Sequence, residues 1–133
     1  MVITLNTIED VARLPTVLDI NEVSRLLLEL IPLLQHSSLS PAQGADVIDE
    51  LLFAQAYNET GITIEASHAV LAWLQTVYNP TDEAFIDACA SNLANLTCPA
   101  AVAFMQQRIA SSDNAYERQQ LTEALAEIKL REK

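Results

Sequence analysis

The stretch from Ser40 to Tyr78 carries start and stop signals for two helices, and these signals constrain the fold more than any other part of the chain. Ser40 can cap a helix that begins at Pro41, because a glutamine follows three residues after the cap. Gly61 supplies the left-handed residue that commonly follows a helix end. Thr63 caps a second helix, which stops before the next proline. We therefore predict an antiparallel helical hairpin, whose apolar residues recur at helical spacing: Val47, Ile48, Leu51, Leu52, Ala54, Ala66, Ala69, Val70, Trp73, Leu74 and Val77.

Similar signals recur in the rest of the chain. Thr7 and two first-turn acids predict a short helix that ends before Pro15 and covers one end of the bundle. A wide apolar stripe predicts a centrally buried helix from Asn21 to Gln35, which Pro32 would kink or end early. Three further helix starts are predicted, at Asn79-Pro80, at Thr97-Cys98-Pro99, and at a cap provided by Asp113 or Asn114.

These helices account for nearly the whole chain of 133 residues, half of which are apolar. We predict one all-α domain spanning residues 1–133, a compact bundle of six or seven antiparallel helices. An approximate internal repeat, in which Asn79-Pro80 corresponds to Ser40-Pro41, leaves open the alternative of a short HEAT-like stack of helical hairpins. With only two glycines, the sequence has no glycine-rich phosphate loop, dinucleotide fingerprint or nucleophile elbow.

The charge is concentrated in the middle of the chain. The net charge is −11, and the segment from Leu26 to Gln107 contains nine acidic residues but no lysine or arginine. Such a field repels nucleic acid and anionic lipid and attracts basic proteins. The candidate partner-binding residues are the acids near two predicted helix starts: Asp46, Asp49, Glu50, Asp82, Glu83 and Asp87.

The start of the chain has no basic region, and acids follow it closely, so we expect no secretory signal and a cytoplasmic location. The most apolar run, from Leu26 to Leu34, is interrupted by Glu29 and Pro32 and is shorter than the ~20 residues of a membrane-spanning helix. In the cytoplasm, Cys89 and Cys98 would be reduced thiols.

A second hypothesis is a small metal-dependent hydrolase that uses Asp46, Asp49 and Asp87. The sequence offers no base in this region to hold a phosphate group. Glu65 and His68 have the spacing of half a di-iron site, but the only other histidine, His36, has no matching acid. Cys98 lies at a predicted helix start, where a thiol can become reactive. We nevertheless expect no metal and no cofactor.

The preferred hypothesis is a non-catalytic interaction module of the adaptor, regulator or immunity-protein type, whose acidic surface binds a basic partner protein. A competing interpretation is that the acids only keep the bundle in solution. A third hypothesis is a homodimer formed through the last helix, whose apolar stripe is narrow: Leu121, Ala124, Leu125 and Ile128.

Overall fold

The computed structural model describes residues 4–14, 18–53 and 61–131, and most of these are helical. A 3-10 helix (Ile8–Arg13) is followed by α1 (Ile20–Gln35), α2 (Pro41–Phe53), α3 (Ile64–Val77), α4 (Glu83–Ala94), α5 (Pro99–Ser111) and α6 (Ala115–Arg131). The described ranges contain no β-strand, and their helices pack into a compact bundle, so the all-α prediction is confirmed. Pro15, Ala54 and the turn predicted just before Gly61 lie outside the described residues.

The predicted caps of the Ser40–Tyr78 stretch are present. At the start of α2, Ser40 Oγ accepts from Gln43 N at 3.2 Å, and Gln43 Oε1 accepts from Ser40 N at 3.0 Å. Thr63 Oγ1 accepts from Ala66 N at 3.2 Å and caps α3. Gly61 has φ 73°, the conformation for which glycine is suited. These starts form as predicted because each cap depends only on residues within one helical turn.

The start of α4 differs from the prediction. Asn79 Oδ1 accepts from Thr81 N at 3.1 Å and from Thr81 Oγ1 at 2.8 Å, which closes a turn before the helix. Asp82 is the actual cap, with its carboxylate accepting from Phe85 N at 3.1 Å. The segment holds two residues that can cap, and the second one begins the helix. Pro80 therefore lies in the preceding turn and not at the first helical position.

Two other boundaries refine the predictions. The first predicted helix is 3-10, and Asp10 Oδ2 accepts from the backbone N–H groups of Asn6 and Thr7 at 2.9 and 3.0 Å. Helix α1 continues past Pro32 to Gln35, so the early end was wrong. Of the two residues proposed to cap the last helix, Asn114 does so, accepting from Glu117 N at 3.1 Å.

The helices pair differently from the predicted hairpin. α2 packs mainly against α4, and α4 packs in turn against α6, so these three form one layer. α1 packs mainly against α3 on the other side of the bundle. Contacts of α1 with α2 and of α3 with α4 join the two sides, and α5 packs mainly against α6. Helices α2 and α3 are therefore not the principal partners that a hairpin would make them, because the loop between them does not decide which surfaces they bury.

One hydrophobic cluster runs through all of these elements, from Leu5 to Ile128. Two buried hydroxyls connect loops to this core: Ser24 Oγ accepts from Thr63 N at 3.0 Å, and Ser67 Oγ accepts from Cys98 N at 3.0 Å. The four residues of the predicted dimer stripe on α6 are buried within the same chain. A dimer remains a prediction, and it would have to use another face of α6.

Within the described ranges, no helix is both long enough and apolar enough to cross a membrane.

Candidate functional site

Carboxylates from α2, α4 and α6 lie on one layer of the bundle, and we call them the acidic face: Asp46, Asp49, Glu83, Asp87, Glu123 and Glu127. Two electrostatic effects relate them. The charges of Asp46 and Asp87 act on Asp49, which joins α2 to α4. Asp87, Glu83 and Glu123 act together on the ring of Tyr116, which joins α4 to α6. The central helix α4 therefore contributes acids toward both of its neighbours.

A groove of about 160 Å³ separates α4 from α6. Three alanines, Ala90, Ala94 and Ala124, line it and are buried. Because these side chains are small, the surface between the two helices is recessed. The remaining lining residues are polar or acidic: Asp87, Ser91, Gln120, Glu123 and Glu127. None of the lining residues that the structure describes is basic, and three of them are carboxylates.

The groove is smaller than the ~300–1,000 Å³ of ordinary small-molecule pockets. Its size and charge suit a single ammonium or guanidinium group better than a substrate of metabolite size. Asp87, Glu123 and Glu127 are exposed, so they can reach a cation without first losing a hydrogen-bond partner in the core.

The phenol of Tyr116 is affected by the negative charges beside this groove. It is half-buried near the start of α6. Burial raises the pKa of its phenol, and the charges of Asp87, Glu83 and Glu123 raise it further. A ring that is affected by three acids from two helices indicates that the start of α4 and the start of α6 lie together. A hydrogen bond of 2.9 Å from Asn114 Nδ2 to Pro80 O supports the same placement.

Asp49 is the partly buried member of the acidic face. Burial raises its pKa from 3.8 to about 6, and repulsion from Asp46 and Asp87 adds to this, while hydrogen bonding from Ser91 and Asn92 opposes it. Asn92 lies on α4, is fully buried, and donates through Nδ2 to Asp49 Oδ1 at 2.7 Å. It also donates to Ala45 O at 3.1 Å. This amide fixes the position of Asp49 at the seam between α2 and α4.

The structure brings together four of the six candidate residues that the sequence suggested, namely Asp46, Asp49, Glu83 and Asp87. The carboxylate of Asp82 instead caps α4. Glu50 is exposed on α2, and no described contact joins it to the others.

Glu123 and Glu127 were missed, because the C-terminal region has equal numbers of acids and bases and showed no net charge. Their i,i+4 spacing on one helix, with Gln120 one turn earlier, was a signal available in the sequence.

A metal site is not found in the part of the chain that the structure describes: no three histidine, cysteine, aspartate or glutamate side chains there are arranged to hold an ion. His36 and His68 are both exposed. Cys98 is buried as the cap residue of α5, where a reagent would not reach it. Burial raises the pKa of the Cys89 thiol well above its ordinary value, and the charges of Glu117 and Asp49 act in the same direction.

A buried carboxylate in the first turn of α6, that of Glu117, has a different environment. Glu117 has no solvent exposure, and Arg108 donates to it through Nε at 2.7 Å and Nη2 at 3.0 Å. The hydroxyls of Tyr78 and Ser112 donate to the same carboxylate. Burial by itself would raise the pKa of Glu117, but these hydrogen bonds outweigh it and hold the pKa below its ordinary value.

Aromatic rings complete this arrangement, which we call the Glu117 clasp and define as Tyr78, Arg108, Ser112 and Glu117. The Arg108 guanidinium lies 5.1 Å from the centroid of the Tyr78 ring. Tyr78 also makes edge-to-face contacts with Phe85 and Phe104, at centroid distances of 5.6 and 5.3 Å. The clasp connects the end of α3 with α5 and α6. Because its carboxylate is enclosed and saturated with donors, we interpret it as a structural element.

Comparison of the chain with protein-family models, with curated proteins and with solved structures found no match. Any function must therefore be argued from the residues and their geometry.

Proposed function

We propose that the protein is a non-catalytic interaction module whose acidic face binds a basic segment of a partner protein. The single observation that supports this most strongly is the groove between α4 and α6. Asp87, Glu123 and Glu127 surround a floor of alanines there, and no base lines the groove among the residues that the structure describes. A lysine or arginine side chain of a partner would provide the charge that the groove lacks.

The surroundings of the groove extend the same field. Asp46 and Asp49 continue it across α4 onto α2, and Glu83 continues it to the start of α4. The occupant would therefore be a segment with several bases and not a single free amino acid. Attraction of this kind accelerates association and weakens as salt screens it over a Debye length of ~8 Å.

The test asks whether binding depends on the acids of the groove or only on the overall negative charge of the protein, and it uses two variants of equal charge. In the first, Asp87→Asn is combined with Glu123→Gln, which neutralises two acids of the groove. In the second, Glu9→Gln is combined with Glu65→Gln, which neutralises two exposed acids on the 3-10 helix and on α3. The native protein and both variants are immobilised, exposed to lysate and eluted with stepped salt, and the eluted proteins are identified.

We expect the native protein and the Glu9/Glu65 variant to retain the same basic protein, and the Asp87/Glu123 variant to lose it. The interaction would then be repeated with the purified partner, and the signals that move in an NMR titration should map to α4 and α6. Equal retention by both variants, or signals that move mainly on α1 and α3, would contradict the proposal and support the solubilising role of the acids.

A further inference from the structure

Asn92 has an unsatisfied hydrogen-bonding group at the seam between α2 and α4. Its side chain is fully buried, and both partners of Nδ2 lie on α2, at Ala45 O and Asp49 Oδ1. Its Oδ1 is also buried and accepts no hydrogen bond within the described residues. A buried acceptor without a donor destabilises the folded state, and such groups are rare in folded proteins. The amide therefore needs a donor next to it.

Asp49 on α2 is in contact with this amide and can supply one. Its Oδ1 already lies 2.7 Å from Asn92 Nδ2, so the carboxyl is a direct neighbour of the amide. An ionised carboxylate can only accept hydrogen bonds, whereas a protonated carboxyl also carries one O–H donor. A carboxylic acid and a primary amide in this relation can form a ring of two hydrogen bonds, N–H to O and O–H to O.

We propose that Asp49 and Asn92 form such a proton-holding pair, in which the protonated carboxyl donates to Asn92 Oδ1 while Asn92 Nδ2 donates to the carboxyl. The pair takes its proton from solvent and returns it as the pH rises. When the proton is present, two hydrogen bonds join Asp49 to Asn92, in addition to the bond from Asn92 Nδ2 to Ala45 O, and the buried amide oxygen is satisfied. When the proton leaves, only the N–H bond remains between Asp49 and Asn92, and the acidic face gains one negative charge.

The charges around the pair favour holding the proton. Burial disfavours the ionised form of Asp49, and Asp46 on α2 and Asp87 on α4 repel it, while hydrogen bonding from Ser91 and Asn92 acts in the other direction. Cys89 on α4 is neutral, because its raised pKa keeps the buried thiol protonated. Two other elements pack on α2, and in each the base forms an ion pair within its own helix. In the 3-10 helix, which also carries Glu9, Arg13 pairs with Asp10; in α1, Arg25 pairs with Glu22 and Glu29.

This inference does not depend on the proposed function, since the pair would form whether or not a partner binds. The wild-type chain provides the first test. An NMR titration follows the side-chain carboxyl carbon of Asp49 and the side-chain amide of Asn92. We expect both to titrate with one common midpoint near pH 6, against an ordinary aspartate pKa of 3.8.

Two matched variants complete the test. Asp49→Asn places a permanent donor beside Asn92 Oδ1, so the Asn92 amide signal should stay at the position that it has in the acid form of the wild type. Asp46→Asn removes the same charge from the exposed side of α2 and should leave the Asn92 amide titrating, with a lower midpoint.

An Asn92 amide signal that does not move while Asp49 titrates would overturn the inference. A midpoint for Asp49 near 4 would do the same. The wild-type titration decides the question even where a variant fails to fold.

Discussion

The Glu117 clasp and the acidic face place carboxylates in opposite environments only a short distance apart on α4 and α6. Glu117 is enclosed and receives hydrogen bonds from Arg108, Tyr78 and Ser112. Asp87 and Glu123 are exposed beside a groove whose described lining residues include no base. A buried charge must be paired because its desolvation is costly, whereas an exposed acid keeps its water and needs no partner within the chain. The contrast indicates that the clasp holds the fold together, while the face remains available for contacts with other molecules.

The strongest test of this contrast is the removal of each kind of acid. Glu117→Leu should lower the free energy of unfolding by about 3–5 kcal/mol, because three partly buried donor side chains lose their shared acceptor. Glu123→Leu, the same change on the exposed side of α6, should alter it by no more than about 0.5 kcal/mol. Urea unfolding of both variants measures the difference. Similar losses for the two would show that the clasp is not specifically stabilising.

The pH dependence of stability tests Asp49, which is intermediate between the two environments. Its pKa is raised from 3.8 to about 6, so the native state binds more protons than the unfolded state between these values. The contribution of Asp49 to the free energy of unfolding is therefore complete below pH 3.8 and is lost as the pH rises through about 6. The full shift corresponds to ~3 kcal/mol, and partial exposure of the side chain reduces the expected loss to about 1–2 kcal/mol.

The measurement for Asp49 is the free energy of unfolding of the wild type minus that of Asp49→Asn, followed across this pH range. The other carboxylates are common to both proteins and cancel in the difference. We expect the difference to fall as the pH rises, and a flat difference would mean that Asp49 titrates normally in the folded protein.

A smaller effect is expected from the groove itself. The combined Asp87→Asn and Glu123→Gln variant should melt slightly higher than the wild type at low salt, because it relieves repulsion between α4 and α6. The gain should disappear at high salt, since exposed charges are screened. Thermal melts at two salt concentrations check this. A variant that melts lower at both concentrations would show that these acids stabilise the fold, as Glu117 does.

The smallest effect concerns the phenol of Tyr116. Asp87→Asn should lower its pKa toward 10.0, because one of the negative charges that raise it is removed. Glu127→Gln removes the same charge from the groove, but Glu127 does not act appreciably on the ring, so this control should leave the pKa closer to its wild-type value. NMR titration of the Tyr116 ring distinguishes it from the other tyrosines. Equal shifts in both variants would show that the ring senses only the overall charge.

Local signals in the sequence were sufficient for most helix starts. Pro41, Thr63 and Pro99 begin or cap helices as predicted, and Gly61 has the positive φ that its turn required. Each of these depends on atoms within a few residues of one another, so the chain alone determines them. The start of α4 was predicted less well because two residues, Asn79 and Asp82, compete for the same role.

The candidate site was predicted only in part, for a related reason. The segment without bases drew attention to Asp46, Asp49, Glu83 and Asp87, since charge along the chain is a property of the sequence. It could not show that Glu123 and Glu127 would lie beside them, because this depends on α6 packing against α4.

Burial was decided by the tertiary structure. Glu117 was indistinguishable in the sequence from the exposed glutamates of the same helix, and it is enclosed only because Arg108 and Tyr78 arrive from α5 and from the end of α3. Likewise, the proton-holding pair exists only where α2 meets α4. The sequence by itself determined where the helices begin, since caps and turns are local. The pairing of the helices required the packed core, and so did the difference between the Glu117 clasp and the acidic face. A carboxylate that packing removes from water must be paired, whereas one that stays in water remains free to bind another molecule.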